Sequence, residues 1–376
     1  MAEGGKISVR ELLEEMVKRG ASDLHITVGS PPVIRIDGKL QRLPYDPISP
    51  DAAKRMAYSI MTERQKQRFE EEWEVDLSFG LEGVARFRVN IFLQRGNVAI
   101  AIRVIPMRIS SFEELMLPPV LSTFAEYPNG LVLVTGPTGS GKSTSLAAII
   151  DKINRERYEH ILTVEDPIEF VHEHKNCIIN QREVGADTMS FARALKYALR
   201  EDPDVVLIGE MRDLDTVESA LIIAETGHLA FATLHTNSCA ETINRIIDIF
   251  PTAQQQQVRV QLSFVLRAVV TQALMPKIGG GRVPACEVMI VTPAIRAQIR
   301  EDKIHQIYSA IQAGGKYGMQ TMNQSLSDLY LKRLITIEEA MNRSPDPQEL
   351  NDIIARKRSG AVTSGSARTS KIGSRK

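Results

Sequence analysis

A glycine-rich segment carries residues that could bind phosphate groups. It matches the G-x-x-x-x-G-K-[ST] pattern at every fixed position. Its residues are Gly136, Pro137, Thr138, Gly139, Ser140, Gly141, Lys142, Ser143 and Thr144. Glycines let several backbone N–H groups point into one concavity, the lysine adds a full positive charge, and a serine hydroxyl can ligate Mg²⁺. We therefore predict that this segment binds the β- and γ-phosphates of a nucleotide, with Ser143 as a metal ligand.

The flanking residues predict the elements that position this segment. Leu131–Thr135, just before it, is an apolar and β-branched run of strand length. After it, apolar residues recur at helical spacing. They are Leu146, Ile149, Ile150 and Ile153. A strand, a glycine-rich turn and a helix N-terminus form the context in which this motif binds phosphate, because the helix end adds partial positive charge.

A carboxylate at the end of a second predicted strand could act on water. Val205–Ile208 is apolar and is followed by Gly209 and Glu210. In open α/β sheets, reactive groups gather at the carboxyl ends of the strands. Glu210 could therefore orient or deprotonate the attacking water. The alternative is a structural glutamate, for instance one paired with Arg212.

A third predicted strand also ends in acids. Leu162–Val164 leads into Glu165 and Asp166, and Pro167 ends the strand and keeps Asp166 away from helical geometry. Either acid could reach Mg²⁺ through water. We favour Glu165 for the site and a turn-forming role for Asp166, although both acids could simply end the strand.

Two histidines flank another buried strand, Leu229–Leu234. His228 precedes this strand and His235 follows it, so they would lie roughly 20 Å apart along an extended strand. His235, at the carboxyl end, is the better candidate for sensing a γ-phosphate. A single histidine is more often a structural residue, so position alone does not decide the role of either.

Arginines alternate with apolar residues in the amino-terminal part of the chain. Arg86 and Arg88 alternate with Phe87 and Val89, and Arg103 lies on a following strand. This spacing places the arginines on the face opposite the core. Such a row could clamp the phosphates of a nucleotide held by a neighbouring subunit, or it could be a solvated sheet face. The alternation does not distinguish these two possibilities.

The overall composition predicts two globular domains. The chain has 376 residues, 43% hydrophobic and 24% charged, with no formal net charge. A balanced charge argues against attraction of the whole chain to nucleic acid. No apolar run reaches the about 18 residues of a membrane span, and the amino terminus lacks an apolar signal core. We therefore expect a cytoplasmic protein that meets a membrane only through partners. The three cysteines are far apart, which predicts neither a zinc site nor disulfides.

The order of predicted elements separates these domains. Residues 1–108 read as amphipathic helices and strands, with an Asp37-Gly38 hairpin turn and a three-stranded meander over 75–105. Residues 109–119 form the predicted linker. Residues 120–358 form an α/β domain in which strands alternate with helices, which favours a mostly parallel sheet. One predicted helix spans 254–274, and only helices follow residue 291. Residues 359–376 are predicted to be a disordered basic tail.

Five motifs in this order resemble the secretion ATPases of type II secretion and type IV pili, and above all the pilus retraction, or twitching-motility, ATPases. The motifs are residues 136–144, 163–169, 205–213, 225–236 and 293–301. The resemblance implies a PAS-like amino-terminal domain, a RecA-like ATPase domain and a hexameric ring. It also implies that Glu210 is the catalytic carboxylate, that Glu165, His228 and His235 are functional, and that Arg88 and Arg103 reach towards phosphate.

The same resemblance implies an ATPase that uses Mg²⁺ and powers pilus retraction and twitching motility. Its expected partner is a platform protein in the inner membrane, reached from the cytoplasmic side. The related extension and secretion ATPases usually carry a four-cysteine zinc insertion and further amino-terminal domains, so the few cysteines favour the retraction branch. The alternatives are a pilus extension, type II secretion or DNA-transfer ATPase, or a nucleotide-gated scaffold without useful turnover.

Overall fold

The computed structural model describes residues 7–36, 38–81, 83–105 and 108–369, with side chains as far as residue 359. The chain divides into two compact units. The first comprises Met1–Arg108 together with Pro167–His172, and the second comprises Ile109–Asp166 and Glu173–Lys376. The Asp37 position of the predicted hairpin turn lies outside the described residues.

The first unit contains an antiparallel sheet of six strands in the order β3-β2-β1-β6-β5-β4. The strands are β1 (Asp23–Ile26), β2 (Val33–Ile36), β3 (Lys39–Arg42), β4 (Glu74–Leu81), β5 (Ala85–Gln94) and β6 (Asn97–Ile105). The helices are α1 (Val9–Lys18), α2 (Pro50–Ser59) and α3 (Glu63–Glu72). Capping boxes start α1 and α3, as the Ser8/Glu11 and Thr62/Gln65 pairs predict.

The second unit contains a seven-stranded sheet in the order β13-β12-β7-β11-β10-β8-β9. All its strand pairs are parallel except β12 with β13. The strands are β7 (Gly130–Thr135), β8 (His160–Glu165), β9 (Ile178–Glu183), β10 (Val205–Ile208), β11 (Leu229–Leu234), β12 (Leu266–Pro276) and β13 (Arg282–Ile290). Every residue of β7, β10 and β11 is buried, which explains their continuous apolar sequences.

Ten helices of the second unit surround this sheet in the described part of the chain. They are α4 (Lys142–Glu156), α5 (Phe191–Ala198), α6 (Leu214–Glu225), α7 (Cys239–Asp248), α8 (Thr252–Val265), α9 (Pro293–Arg300), α10 (Ile307–Ala313), α11 (Met322–Leu331), α12 (Ile337–Arg343) and α13 (Pro347–Thr369). Separate apolar clusters cover the two faces of the sheet. The α/β class, the largely parallel sheet and the helical carboxyl-terminal region predicted from the sequence are therefore confirmed.

Two differences from the predicted elements have physical causes. The helix predicted over 254–274 is wrong: α8 ends at Val265, and the chain continues directly as β12. Leu266–Leu274 is rich in apolar and β-branched residues, and β12 is buried between β7 and β13. The final helix extends beyond residue 358 to Thr369, and residues 370–376 of the predicted tail lie outside the described residues.

The three cysteines are free and buried. Cys177 precedes β9, Cys239 begins α7 and Cys286 lies on β13. Burial raises the pKa of all three thiols, that of Cys286 to about 12. Thiols of this kind behave as small apolar core residues.

Candidate nucleotide-binding site

The phosphate loop joins β7 to α4 and depends on glycine conformations. Gly136, Gly139 and Gly141 have φ angles of 136°, 77° and 88°. A Cβ atom on Gly136 would lie only 2.2 Å from the backbone oxygen of Gln272. The loop can therefore take this path only with glycine at position 136.

The loop presents positive charge and backbone donors on its inner side. The ammonium of Lys142 donates to the backbone oxygens of Gly136 (2.8 Å) and Pro137 (3.2 Å). No side chain caps the start of α4, whose N-cap residue is Gly141. The uncapped N–H groups and the partial positive charge of the helix end suit an anion.

One buried polar atom in the loop also suits a phosphate oxygen. The Ser140 hydroxyl is buried and has no hydrogen-bond partner among the described residues. Pro137, Thr138 and Gly139 are exposed, whereas Ser143 and Thr144 are half-buried in the first turn of α4. The loop therefore fits a bound phosphate chain, which would satisfy both the hydroxyl and the helix N–H groups.

Strand β12 supports the loop from behind. The Ser145 hydroxyl donates to Oε1 of Gln272 (2.8 Å), and the hydroxyls of Thr135 and Thr271 lie 2.8 Å apart. The sequence analysis missed both β12 residues. A signal was present, because Thr271 and Gln272 are consecutive polar residues within an apolar run and both are buried.

Glu210 lies just beyond β10 and has two partners. Arg212 donates to it through Nε and Nη2, both at 2.7 Å, and Nε2 of His235 lies 3.2 Å from Oε1. Partial burial would raise the pKa of Glu210, but the hydrogen bonds and charge of Arg212 and His235 outweigh it and lower the pKa. The carboxylate is therefore ionised and held in a defined position.

The strand order explains why Glu210 and His235 meet. Strand β11 lies between β7 and β10, and His235 follows it directly. The Thr233 hydroxyl donates to the backbone oxygen of Gly209 (2.5 Å), and the backbone N–H of Met211 donates to that of Thr233 (3.0 Å). These bonds fasten the ends of β10 and β11 together, at the edge of the sheet that carries the phosphate loop.

Two other candidate residues lie elsewhere in the second unit. Glu165 ends β8, which is separated from β7 by β10 and β11, and its Oε1 accepts from Thr163 (2.7 Å) and Gln181 (3.3 Å). His228 lies at the amino end of β11, opposite His235. Its Nδ1 is 3.1 Å from both the backbone oxygen of Ile223 and the Thr226 hydroxyl. The structure thus does not bring His228 to the phosphate loop of its own chain.

The two candidate arginines belong to the first unit and lie directly opposite each other on β5 and β6. The Arg103 Nε atom is 2.8 Å from a carboxylate oxygen of Asp23. Arg88 is exposed, and no hydrogen bond or ion pair joins its side chain to any described residue. Like charges opposite each other repel, so this pair would gain from a bound anion.

Comparisons with known proteins agree with the motifs. A family model described as type II/IV secretion system protein matches residues 5–343. The chain is 52% identical to the type IV pilus retraction ATPase PilT of Pseudomonas aeruginosa over 91% of its own length and 99% of that protein. It is 49% identical to a twitching motility protein of Neisseria gonorrhoeae over 85% and 86% of the two chains.

A solved structure also matches the fold along most of the chain. The crystal structure of the pilus retraction motor PilT with bound ADP superposes with a TM-score of 0.87 and 54% identity, covering 92% of this chain and 99% of that one. Among the described helices, none is long and apolar enough to cross a membrane. The resemblance inferred from the motifs is confirmed: the chain belongs to the type II/IV secretion system protein family, as an ATPase of its pilus retraction branch.

Proposed function

We propose that this chain is a hexameric motor that hydrolyses MgATP to withdraw pilin subunits from a type IV pilus, and so drives twitching motility. The observation that carries the proposal is the pairing of Glu210 with His235 beside the phosphate loop. An ionised carboxylate in this position can orient and activate the water that attacks the γ-phosphate. The bound ADP in the similar retraction motor supports a nucleotide at the loop.

Each residue of the loop edge has a proposed part in this reaction. Lys142 and the N–H groups of residues 136–144 bind the β- and γ-phosphates. Ser143, at the second position of α4, ligates Mg²⁺ that arrives with ATP, and Glu165 contacts the ion through water. Glu210 activates water, and His235 senses whether the γ-phosphate is present because it contacts the catalytic carboxylate.

The remaining candidates act through the ring. Arg88 is the better candidate for reaching a neighbouring subunit's nucleotide, because Arg103 is already paired with Asp23. Arg103 would then steady the row and add to its positive charge. His228 lies at the opposite edge of the sheet from Glu210, so any part it plays in the reaction is also a contact across subunits.

The proposed place of work is the cytoplasmic face of the inner membrane. The chain would reach the membrane through a platform protein that transmits its motion to the pilus. No direct contact with nucleic acid is proposed, because the formal charge of the chain is zero. Cells that lack the protein should then be piliated and unable to twitch, whereas bald cells would indicate pilus extension instead.

The decisive biochemical test is Glu210→Gln. This variant keeps the size of the side chain but cannot accept a proton from water, so turnover should fall by about two orders of magnitude or more. Fluorescent ADP should still bind, because the phosphate loop is unchanged. Steady-state phosphate release and nucleotide titration measure the two effects.

Asp204→Asn is the matched control, because Asp204 lies at the other end of β10 and accepts only from the backbone N–H of His160 among the described residues (2.9 Å). Its turnover should stay near that of the unchanged protein. Normal turnover in Glu210→Gln would remove Glu210 from the mechanism. Absence of turnover in the unchanged protein would instead favour a nucleotide-gated scaffold.

A further inference from the structure

A buried carboxylate outside the loop edge joins two helices. Glu287, on β13, is 4% exposed and takes part in no ion pair among the described residues. Its Oε1 accepts a hydrogen bond from the backbone N–H of Cys239 (2.7 Å), and the backbone N–H of Met322 also bonds to the carboxylate. Two backbone N–H groups thus take the place of a basic side chain.

Both donors are the first residues of helices, α7 and α11. The Ser238 and Thr321 side chains already cap these helices through the N–H groups of Glu241 and Gln324. The first N–H of each helix is therefore left for Glu287. The partial positive charges of two helix ends stabilise a negative charge placed between them, which explains a carboxylate at this depth.

The start of α7 is tied closely to His235. Only three residues separate His235 from Cys239. Within this turn, the Thr236 hydroxyl lies 2.6 Å from the Thr242 hydroxyl, and the backbone N–H of Asn237 donates to Glu241 (2.8 Å). A displacement of the first turn of α7 would therefore move His235.

The same carboxylate stands beside the strands that support the phosphate loop. In the β12–β13 ladder Glu287 is directly opposite Thr271, whose hydroxyl lies 2.8 Å from that of Thr135. Thr135 is the last residue before the loop. Helix α11, on the other side of Glu287, belongs to the carboxyl-terminal helices and packs on β13.

We propose that Glu287 is a positioning residue, which fastens the His235 segment to the start of α11 and so holds His235 against Glu210. This inference rests on the proposed function, because it assigns Glu287 a part in the same reaction. It also makes α11 the element through which a force on the carboxyl-terminal helices would reach the γ-phosphate sensor.

The test is Glu287→Gln in the full-length assembled protein. The amide keeps the size of the side chain but removes its charge, so only one of its two terminal atoms can accept a hydrogen bond. The kcat for ATP should fall on the order of tenfold, because small misplacements of catalytic groups cost rate. The KM for ATP and the affinity for ADP should stay unchanged, because the phosphate loop keeps its supports.

A double-mutant cycle shows whether Glu287 acts through His235. We expect Glu287→Gln to lower kcat in the unchanged background and to have little further effect in His235→Ala. An equal fold-change in both backgrounds, or an unchanged kcat in folded Glu287→Gln, would overturn the inference. Absence of turnover in the unchanged protein would refute the proposed function itself, so the two failures are distinct.

Glu349→Gln is the matched control for general loosening of the carboxyl-terminal helices. Glu349 accepts hydrogen bonds from Tyr308, Gln312 and Asn323, so the variant disturbs α10, α11 and α13 but leaves Glu287 and α7 alone. It should lower Tm without lowering kcat. If Glu287→Gln does not assemble, Thr321→Ala loosens the start of α11 instead, and a normal kcat there would count against the inference.

Discussion

The carboxylate of Glu210 is held by two side chains with different prospects in the reaction. Arg212 is permanently charged and 70% exposed, so it can leave the carboxylate at little cost. His235 is held by the turn that leads into α7, as described above. Arg212 therefore acts mainly on the charge of Glu210, and His235 on its position.

Removal of Arg212 should change the pH dependence of turnover. Arg212 lowers the pKa of Glu210, which keeps the base ionised at lower pH. In Arg212→Ala this pKa rises, so the acid limb of the kcat/KM profile should move to higher pH, as phosphate release across a buffer series would show. Arg182→Ala, which breaks an ion pair with Glu201, should leave the limb in place. An unmoved limb in Arg212→Ala would mean that another group sets it.

At the scale of elements, strand β12 forms the back wall of the phosphate loop. Two consecutive side chains contact the residues before and after the loop, and the backbone oxygen of Gln272 closes the space behind Gly136. The loop is thus shaped by a strand more than 130 residues later in the sequence. Its rigidity depends on how β12 packs against β7.

Gly136→Ala should disrupt both the loop and the fold around it. The methyl group would meet a backbone oxygen at 2.2 Å, so the free energy of unfolding should fall by at least about 2 kcal/mol, and ADP binding should be lost. Gly185→Ala has a similar left-handed φ of 86° but open space around it, so it should cost only about 1 kcal/mol and leave binding intact. Urea unfolding and ADP titration measure these effects. Equal losses in both variants would contradict the proposed role of β12.

The elements predicted best were those whose signals are local. The phosphate motif, the apolar strands and the caps of α1 and α3 depend on neighbouring residues, and the structure places these elements within a few residues of the prediction. Strand β9 was missed because Ile178–Glu183 is mostly polar, and α7 was missed although Ser238 and Glu241 form a cap-like pair. The boundary at Leu266 could not be found, because an apolar run fits a buried helix or a buried strand equally well.

The site was predictable where chemistry requires a particular residue at a particular place. Glu210 and His235 were found because each follows an apolar strand at the carboxyl edge of a parallel sheet. Gln272 and Glu287 were not found, because their contacts join residues far apart in sequence and belong to no short motif. Such supporting residues emerge only when the strand order is known.

At the scale of the whole molecule, the proposed ring predicts complementation between defective subunits. Arg88→Ala subunits keep a normal phosphate loop, and Lys142→Ala subunits keep a normal arginine. If Arg88 acts across an interface, random mixing should restore roughly a quarter of the interfaces. Phosphate release at several mixing ratios tests this.

The controls for complementation use the same measurement. Each variant alone should be nearly inactive. Mixtures of Glu210→Gln with Lys142→Ala should stay inactive, because both changes damage the site of the same subunit. Absence of recovery at every ratio of the Arg88 mixture would show that Arg88 does not act in trans.

The burial of all three cysteines offers a way to watch such a ring move. Native protein should react with a maleimide or a disulfide reagent extremely slowly, since thiolates are the reactive form and these thiols are inaccessible with raised pKa values. A cysteine introduced at an open surface position, such as Tyr158 at 83% exposure, would then be labelled selectively. Fluorophores for energy transfer could thus be attached without replacing any native residue, and rapid labelling of the unaltered protein would rule the approach out.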